Sequence, residues 1–175
     1  RVPPPFICDH PMPLRSKMAG SRCDEAVMLQ KALSFLRKIA APMLRKKSSA
    51  FVRHAAQKDA QQFATLHTQG DFSHAWSLGE FEGFLADRSV LADVLCDPSR
   101  PDRLYGFILS RRASDEAEIL TIVLARAVRG RGWSRVLLGQ HLAHLAGKGV
   151  STLYLEVEDG NQPARALYEA QGFTV

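Results

Sequence analysis

A mostly apolar run, Ile119-Leu120-Thr121-Ile122-Val123-Leu124, leads through Arg129-Gly130-Arg131-Gly132-Trp133-Ser134 into a helix-like run from Val136-Leu137-Leu138 to Leu145. A strand that turns through glycines into a helix has the geometry of a phosphate cradle. Glycines let the backbone approach an anion, and the free N–H groups at the helix start point at it. The kind of cradle constrains both the fold and the ligand.

Two common glycine loops fail here. A Walker loop ends in Gly-Lys-Ser/Thr, but Gly132 is followed by Trp133 and Ser134. A dinucleotide fingerprint needs a third glycine three residues after the second, and that position is Arg135. What remains is the pattern Arg/Gln-x-x-Gly-x-small, met by Arg129, Gly132 and Ser134.

A second motif follows. Leu153-Tyr154-Leu155-Glu156-Val157 alternates like a strand, and Asn161 and Pro163 suit the start of a helix. Ala164, Leu167 and Tyr168 recur at helical spacing, and Gly172 suits the position just past the helix end. Together the two motifs resemble the GNAT acyltransferase superfamily. More narrowly, the chain looks like the bacterial ribosomal-protein-alanine N-acetyltransferases (RimI type). Leu66-His67, Phe72, Trp76-Ser77 and Glu80-Phe81 resemble that group's substrate-side helix and loop.

The resemblance implies an α/β (α+β) fold, with a mixed central sheet and flanking helices. It implies acetyl-CoA as acetyl donor and a direct transfer in a ternary complex. The acceptor would be the α-amine of a protein N-terminus, with a ribosomal-protein alanine as the family's acceptor. Amides of Gly130, Arg131, Gly132, Trp133 and Ser134 would hold the pyrophosphate, with charge from Arg129, Arg131 and Arg135. Ile122, Val123 and Leu124 would present backbone groups to the pantetheine arm, and one of their amides would polarise the thioester carbonyl. Glu156 would be the base and Tyr168, twelve residues on, the acid. Asn161 would contact CoA as well as cap its helix. Glu118 is a rival base or a site for the incoming ammonium, and Trp76 is a further acceptor-side residue. Acetylation of a lysine side chain or a small amine is the alternative. A third reading is a catalytically incomplete module that docks on RNA.

Composition narrows the setting. The length of 175 residues suits one catalytic domain with a leader. No apolar run approaches membrane-spanning length. Cys8, Cys23 and Cys96 are odd in number and lack a C-x-x-C pair, so a reduced, cytoplasmic chain without a zinc site is expected. The net charge of +5 is unevenly spread: residues 1–50 hold ten of the 23 Lys/Arg and three of the 18 Asp/Glu. The basic character therefore belongs to the leader, and nucleic-acid binding is expected only there. His141 and His144 stand three apart on a helix without an acidic partner in spacing, so they read as surface residues and no metal is expected.

Residues 1–50 read as a basic leader, irregular over its proline-rich start, with one amphipathic helix at 24–41. Residues 51–175 read as the acetyltransferase domain. Strands are expected at 51–54, 89–96, 104–112, 117–126 and 151–158, and helices at 57–69, 77–87, 133–147 and 161–171. The family adds two more strands after this point, so the resemblance implies that the C-terminal strands are truncated. A sheet edge is then exposed that another segment should cover.

Overall fold

The computed structural model describes residues 26–32, 50–70, 72 and 74–174. In chain order the elements are β1 (Ala26–Ala32), β2 (Phe51–His54), α1 (Ala60–His67), α2 (Leu78–Ala86), β3 (Val90–Asp97), β4 (Arg100–Ala113), β5 (Glu116–Leu124), α3 (Trp133–Gly147), β6 (Thr152–Glu158) and α4 (Gln162–Glu169). The strands form one mixed sheet of order β1-β6-β5-β4-β3-β2. Among the described strands only β5 and β6 run parallel, and α3 is their crossover.

Alternating strand residues feed two cores. On one face Leu91, Leu95 and Ile108 meet Leu137, Leu138, Leu142 and Leu145 of α3 and Tyr168 of α4. On the other, Val94, Phe107 and Leu109 meet Phe63 of α1 and Phe81 of α2. Phe63 stacks on Phe107 at 4.0 Å, and Phe81 meets both rings edge-on.

The feature that builds the site is a bulge in β5. Leu109 faces Thr121 and Ser110 faces Ile119, so Leu120 is an extra residue. Before it, Ala117 and Ile119 join the α3-side core; after it, Val123 joins the α1–α2 core and Thr121 lies on that same side, opposite Leu109. The β5–β6 ladder runs from Glu116↔Thr152 to Ile119↔Leu155 and ends where the bulge begins. Beyond it, Leu120–Leu124 keeps β4 on one side and loses β6 on the other. The two parallel strands part at their C-terminal ends, where open α/β sheets bind ligands.

Two expectations need correction. The helix at 24–41 is not formed over 26–32; that segment is β1, antiparallel to β6 from Ala26↔Glu158 to Ala32↔Thr152. Seven residues of β6 edge would otherwise leave ladder groups unpaired, and pairing them outweighs a helical pattern in the leader. The exposed edge anticipated from the sequence is thus covered, by an N-terminal segment. The other leader residues up to 49 lie outside the described set. The connection between the strands expected at 89–96 and 104–112 is also shorter: Asp97 already pairs with Arg100. The Asp97 carboxylate accepts from the Ser99 amide and hydroxyl at 2.9 and 2.6 Å, which closes the hairpin early.

Candidate active site

The glycine loop joins β5 to α3 at the open end of the strand gap. Gly130 and Gly132 have φ of 72° and 80°, the left-handed region that other residues enter only with strain. Alternating conformations of this kind turn successive amides to one side. Among the described residues, no acceptor takes the N–H of Gly130, Arg131, Gly132, Trp133 or Ser134. Gly132 caps α3 without a side-chain acceptor, so the 15-residue helix presents an uncovered positive end. A Cβ at either glycine would meet nothing within 4 Å, so the space over the loop is open. These groups fit a diphosphate.

The arginines divide. Arg129 donates from Nε to the Leu124 carbonyl at 3.0 Å and from its guanidinium to the Gln69 carbonyl at 2.9 Å. It fixes the loop to β5 and to the end of α1. Arg126 reaches the same Gln69 carbonyl at 3.2 Å. Arg131 and Arg135 are exposed beside the loop. Trp133 packs against the α3-side core, and Ser134 is half-buried at the helix start. Ile122 and Leu124 side chains lean on the α3-side core and Val123 is buried in the other, so their backbone is what faces the gap.

Leu153, Leu155 and Val157 of β6 turn to the α3-side core, which puts Tyr154, Glu156 and Glu158 on the opposite face. Glu118 lies beside Tyr154 across the parallel ladder and shares that face. Burial raises the Glu118 pKa, and the charge of Glu156 raises it further. Arg111, the neighbour of Glu118 on β4, acts in the opposite direction. None of Glu118, Glu156 and Glu158 forms an ion pair with a described residue.

Next to them is a cavity of about 230 Å³ lined by His67, Phe72, His74, Trp76, Leu120, Thr121 and Glu158. Its aromatic wall is held by the start of α2. Ser77 and Glu80 form a reciprocal cap, and Trp76, just before the cap, packs on Phe81 at 5.6 Å. This is the staple arrangement of a helix start. Trp76 also donates its N–H to His67 Nδ1 at 3.2 Å, which leaves the ring proton on Nε2. Burial, then the nearby His74, lowers the His67 pKa. The Thr121 hydroxyl is buried with no partner among the described residues.

Tyr168 lies on the other side of the sheet, buried against Phe173 with ring centroids 5.5 Å apart. Burial raises its phenol pKa well above the ordinary value of 10, so it keeps its proton. Asn161 caps α4, accepting from the Ala164 amide at 3.2 Å.

Sequence reasoning missed Thr121, Leu120 and the bulge between them. The one signal was a hydroxyl inside an apolar strand. Glu158 reads as a solvent-facing neighbour of Glu156, and only the cavity gives it a place. His141 is a correction: it is fully buried, and His144 is half-buried. Their acidic partner is Asp93 on β3, far from α3 in sequence and so invisible to local spacing.

Residues 62–173 match the acetyltransferase (GNAT) family. Over 120 residues the chain is 31% identical to a [ribosomal protein bS18]-alanine N-acetyltransferase of Haemophilus influenzae, covering 67% of this chain and 79% of that protein. It is 32% identical over 146 residues to a mycothiol acetyltransferase of Mycobacteroides abscessus, covering 77% of this chain but only 49% of that protein. Among solved structures, the ribosomal-protein-S18-alanine N-acetyltransferase of Escherichia coli superposes with a TM-score of 0.64 at 25% identity, over 71% of this chain and 77% of that one. With its glycine loop, parted parallel strands and these matches, the chain belongs to the GNAT acetyltransferase family, and acetyl-CoA is its acetyl donor.

Proposed function

We propose that this protein acetylates the N-terminal α-amine of a protein, in the cytoplasm, with a small first residue such as the alanine of a ribosomal protein as acceptor. One observation carries the reading. Three carboxylates that form no ion pair with a described residue stand on one sheet face at the mouth of the β5–β6 gap, beside a small aromatic-walled cavity. That arrangement attracts an ammonium and gives the adjoining side chain an apolar seat. The similarity to bS18-alanine acetyltransferases supports the acceptor class.

Acetyl-CoA, when bound, supplies an activated acyl group. The amides of Gly130–Ser134 and the α3 N-terminus hold its pyrophosphate, with Arg131 and Arg135 adding charge. Asn161, at the start of α4, offers its side-chain amide to the same ligand. The backbone of Ile122, Val123 and Leu124 lines the gap, and an amide there polarises the carbonyl. Glu118 and Glu158 attract the acceptor ammonium. Glu156 removes its proton, directly or through one water; an α-amine with a pKa of about 8 makes that transfer feasible near neutrality. Tyr168 donates its phenolic hydrogen toward the departing sulfur from the other side of the sheet. A phenol above 10 is a reluctant acid toward a thiolate of about 8.5, so its main contribution is a hydrogen bond as charge builds.

The mycothiol acetyltransferase similarity favours a second reading, an amine on a small molecule. A competition assay between an Ala-starting peptide and small amines such as polyamines separates the two. Preferential acetylation of the peptide supports the proposal. Turnover of the small amines with the peptide untouched replaces it.

A further inference from the structure

On the sheet face opposite the carboxylates, a second polar cluster ties β2, β3 and α3 together. Asp93 of β3 is its centre, 2% exposed. Its Oδ1 lies 2.7 Å from His54 Nδ1 of β2. Its Oδ2 lies 2.6 Å from His141 Nδ1 and 3.2 Å from His144 Nδ1, both of α3. Behind the carboxylate, His141 Nε2 meets the Ser110 hydroxyl at 2.7 Å, and both residues are fully buried. The His54 and His144 rings lie side by side, centroids 4.0 Å apart. A hollow of about 420 Å³, lined by Val52, His54, Asp93, Gln140, Ala143 and His144, opens over them to solvent. The guanidinium of Arg53, also at this hollow, is held by a two-pronged bond to Asp59, so it does not compete for Asp93.

We propose that His54 Nδ1, His144 Nδ1 and Asp93 Oδ1 form a binding site for a divalent cation of the zinc class. The three donor atoms lie within 4.8 Å of one another. Zinc takes imidazole nitrogen and carboxylate oxygen at about 2.0–2.2 Å, so tetrahedral ligands stand about 3.3 Å apart. The 3.2 Å contact of His144 Nδ1 is to the other carboxylate oxygen, Oδ2, and within the 4.8 Å that spans the three donors a small turn of the carboxylate or the ring brings it to Oδ1. The His54 contact must open by about 0.6 Å, and His54, with 70% of its side chain exposed, is the ligand freest to move.

The protonation chemistry agrees. Each ligating imidazole moves its proton to Nε2, which for the exposed His54 faces water. The His141–Ser110 pair then orients the carboxylate from behind, as outer-shell partners of metal ligands do. The fourth coordination position opens into the hollow and takes water. Bound there, the cation fastens the four-residue edge strand β2 to α3, whose first turn carries the glycine loop.

The test uses the full untagged chain, stripped with chelator and titrated with Zn²⁺ by calorimetry and with Co²⁺ by visible absorption. The expected result is one ion per chain, with the intense ligand-field bands of a four-coordinate Co²⁺ site. Saturation at a hundredfold excess over Kd should raise Tm by about 5–10 °C. Replacing an outer-shell partner costs about 10–100-fold in affinity, so Ser110→Ala should weaken binding about 10-fold and the ligand variants His54→Ala and His144→Ala at least about 100-fold. His54 is exposed, so its variant keeps the fold. His74→Ala, on the other face, should bind like wild type. Absence of binding overturns the proposal, and so does binding that survives His54→Ala and His144→Ala.

Discussion

The two faces of the central sheet carry polar clusters of opposite character. Among the described residues of the α1–α2 face, Glu118, Glu156 and Glu158 form no ion pair, the buried Thr121 hydroxyl has no partner, and five loop amides nearby have no acceptor. On the α3 face, Asp93, His141 and Ser110 are buried in the core, yet each has a hydrogen-bond partner. A buried polar group left unmade costs about 1–3 kcal/mol. The open face carries that cost and the closed face avoids it. Unpaired groups of this kind are useful only where a ligand can pair with them, and the bulge at Leu120 puts them at the gap where one can enter. The closed face gives stiffness instead: it fixes α3 against β2 and β3, and α3 presents the loop.

This contrast can be broken by variants that separate turnover from stability. Glu156→Gln should lower kcat by about 10²–10⁴ with acetyl-CoA affinity little changed, as steady-state kinetics and calorimetry will show. An unchanged kcat removes Glu156 from the role of base. Asp93→Ala should do the reverse, costing about 3–5 kcal/mol in urea unfolding because a buried charge network loses its centre. Activity per folded molecule should hold; a loss of turnover at full folding would mean that the α3 face is coupled to the chemistry. Gly132→Ala should place about 1–2 kcal/mol of left-handed strain in the loop and raise the KM for acetyl-CoA about tenfold, with the acceptor KM unmoved. Thr121→Val loses no hydrogen bond and should gain up to about 1 kcal/mol in stability. A clear loss there would show that the hydroxyl has a partner in the folded chain.

The smallest effect is a pH signature. The Glu118 pKa is raised in the folded chain, first by burial and then by Glu156. A carboxylate raised in this way favours folding when protonated, so its contribution is complete below its unfolded value and is lost as pH rises through the folded one. Glu118→Gln should therefore melt slightly above wild type at pH 7, and the two should converge in acid. A Gln variant that melts lower at pH 7 would show that the carboxylate is stabilised by a partner.

Local chemistry made some of this legible in the sequence. The glycine loop, helix α3 over Trp133–Gly147, and the Asn161 cap are fixed by residues within a few positions of each other, and they stand where the pattern puts them. The open carboxylates were legible in part, because a glutamate inside Leu-Tyr-Leu-Glu-Val needs a reason. The closed cluster was not legible. Its bonds join residues 31 to 51 positions apart, and no spacing rule on α3 reveals an aspartate on β3. Strand β1 was hidden for the same reason. Its conformation is set by the free edge of β6, more than a hundred residues away, and local periodicity pointed to a helix. Arg129 shows a finer limit: its place in the motif was plain, but its task, holding the loop to Leu124 and Gln69, needed the folded chain.

The most direct test of the central claim is to locate the acetyl group. An Ala-starting peptide with one internal lysine, incubated with acetyl-CoA and this protein, is read by tandem mass spectrometry. The open carboxylate face predicts a single acetyl group on the α-amine and none on the lysine. Acetylation confined to the lysine ε-amine, with the α-amine free, would contradict it.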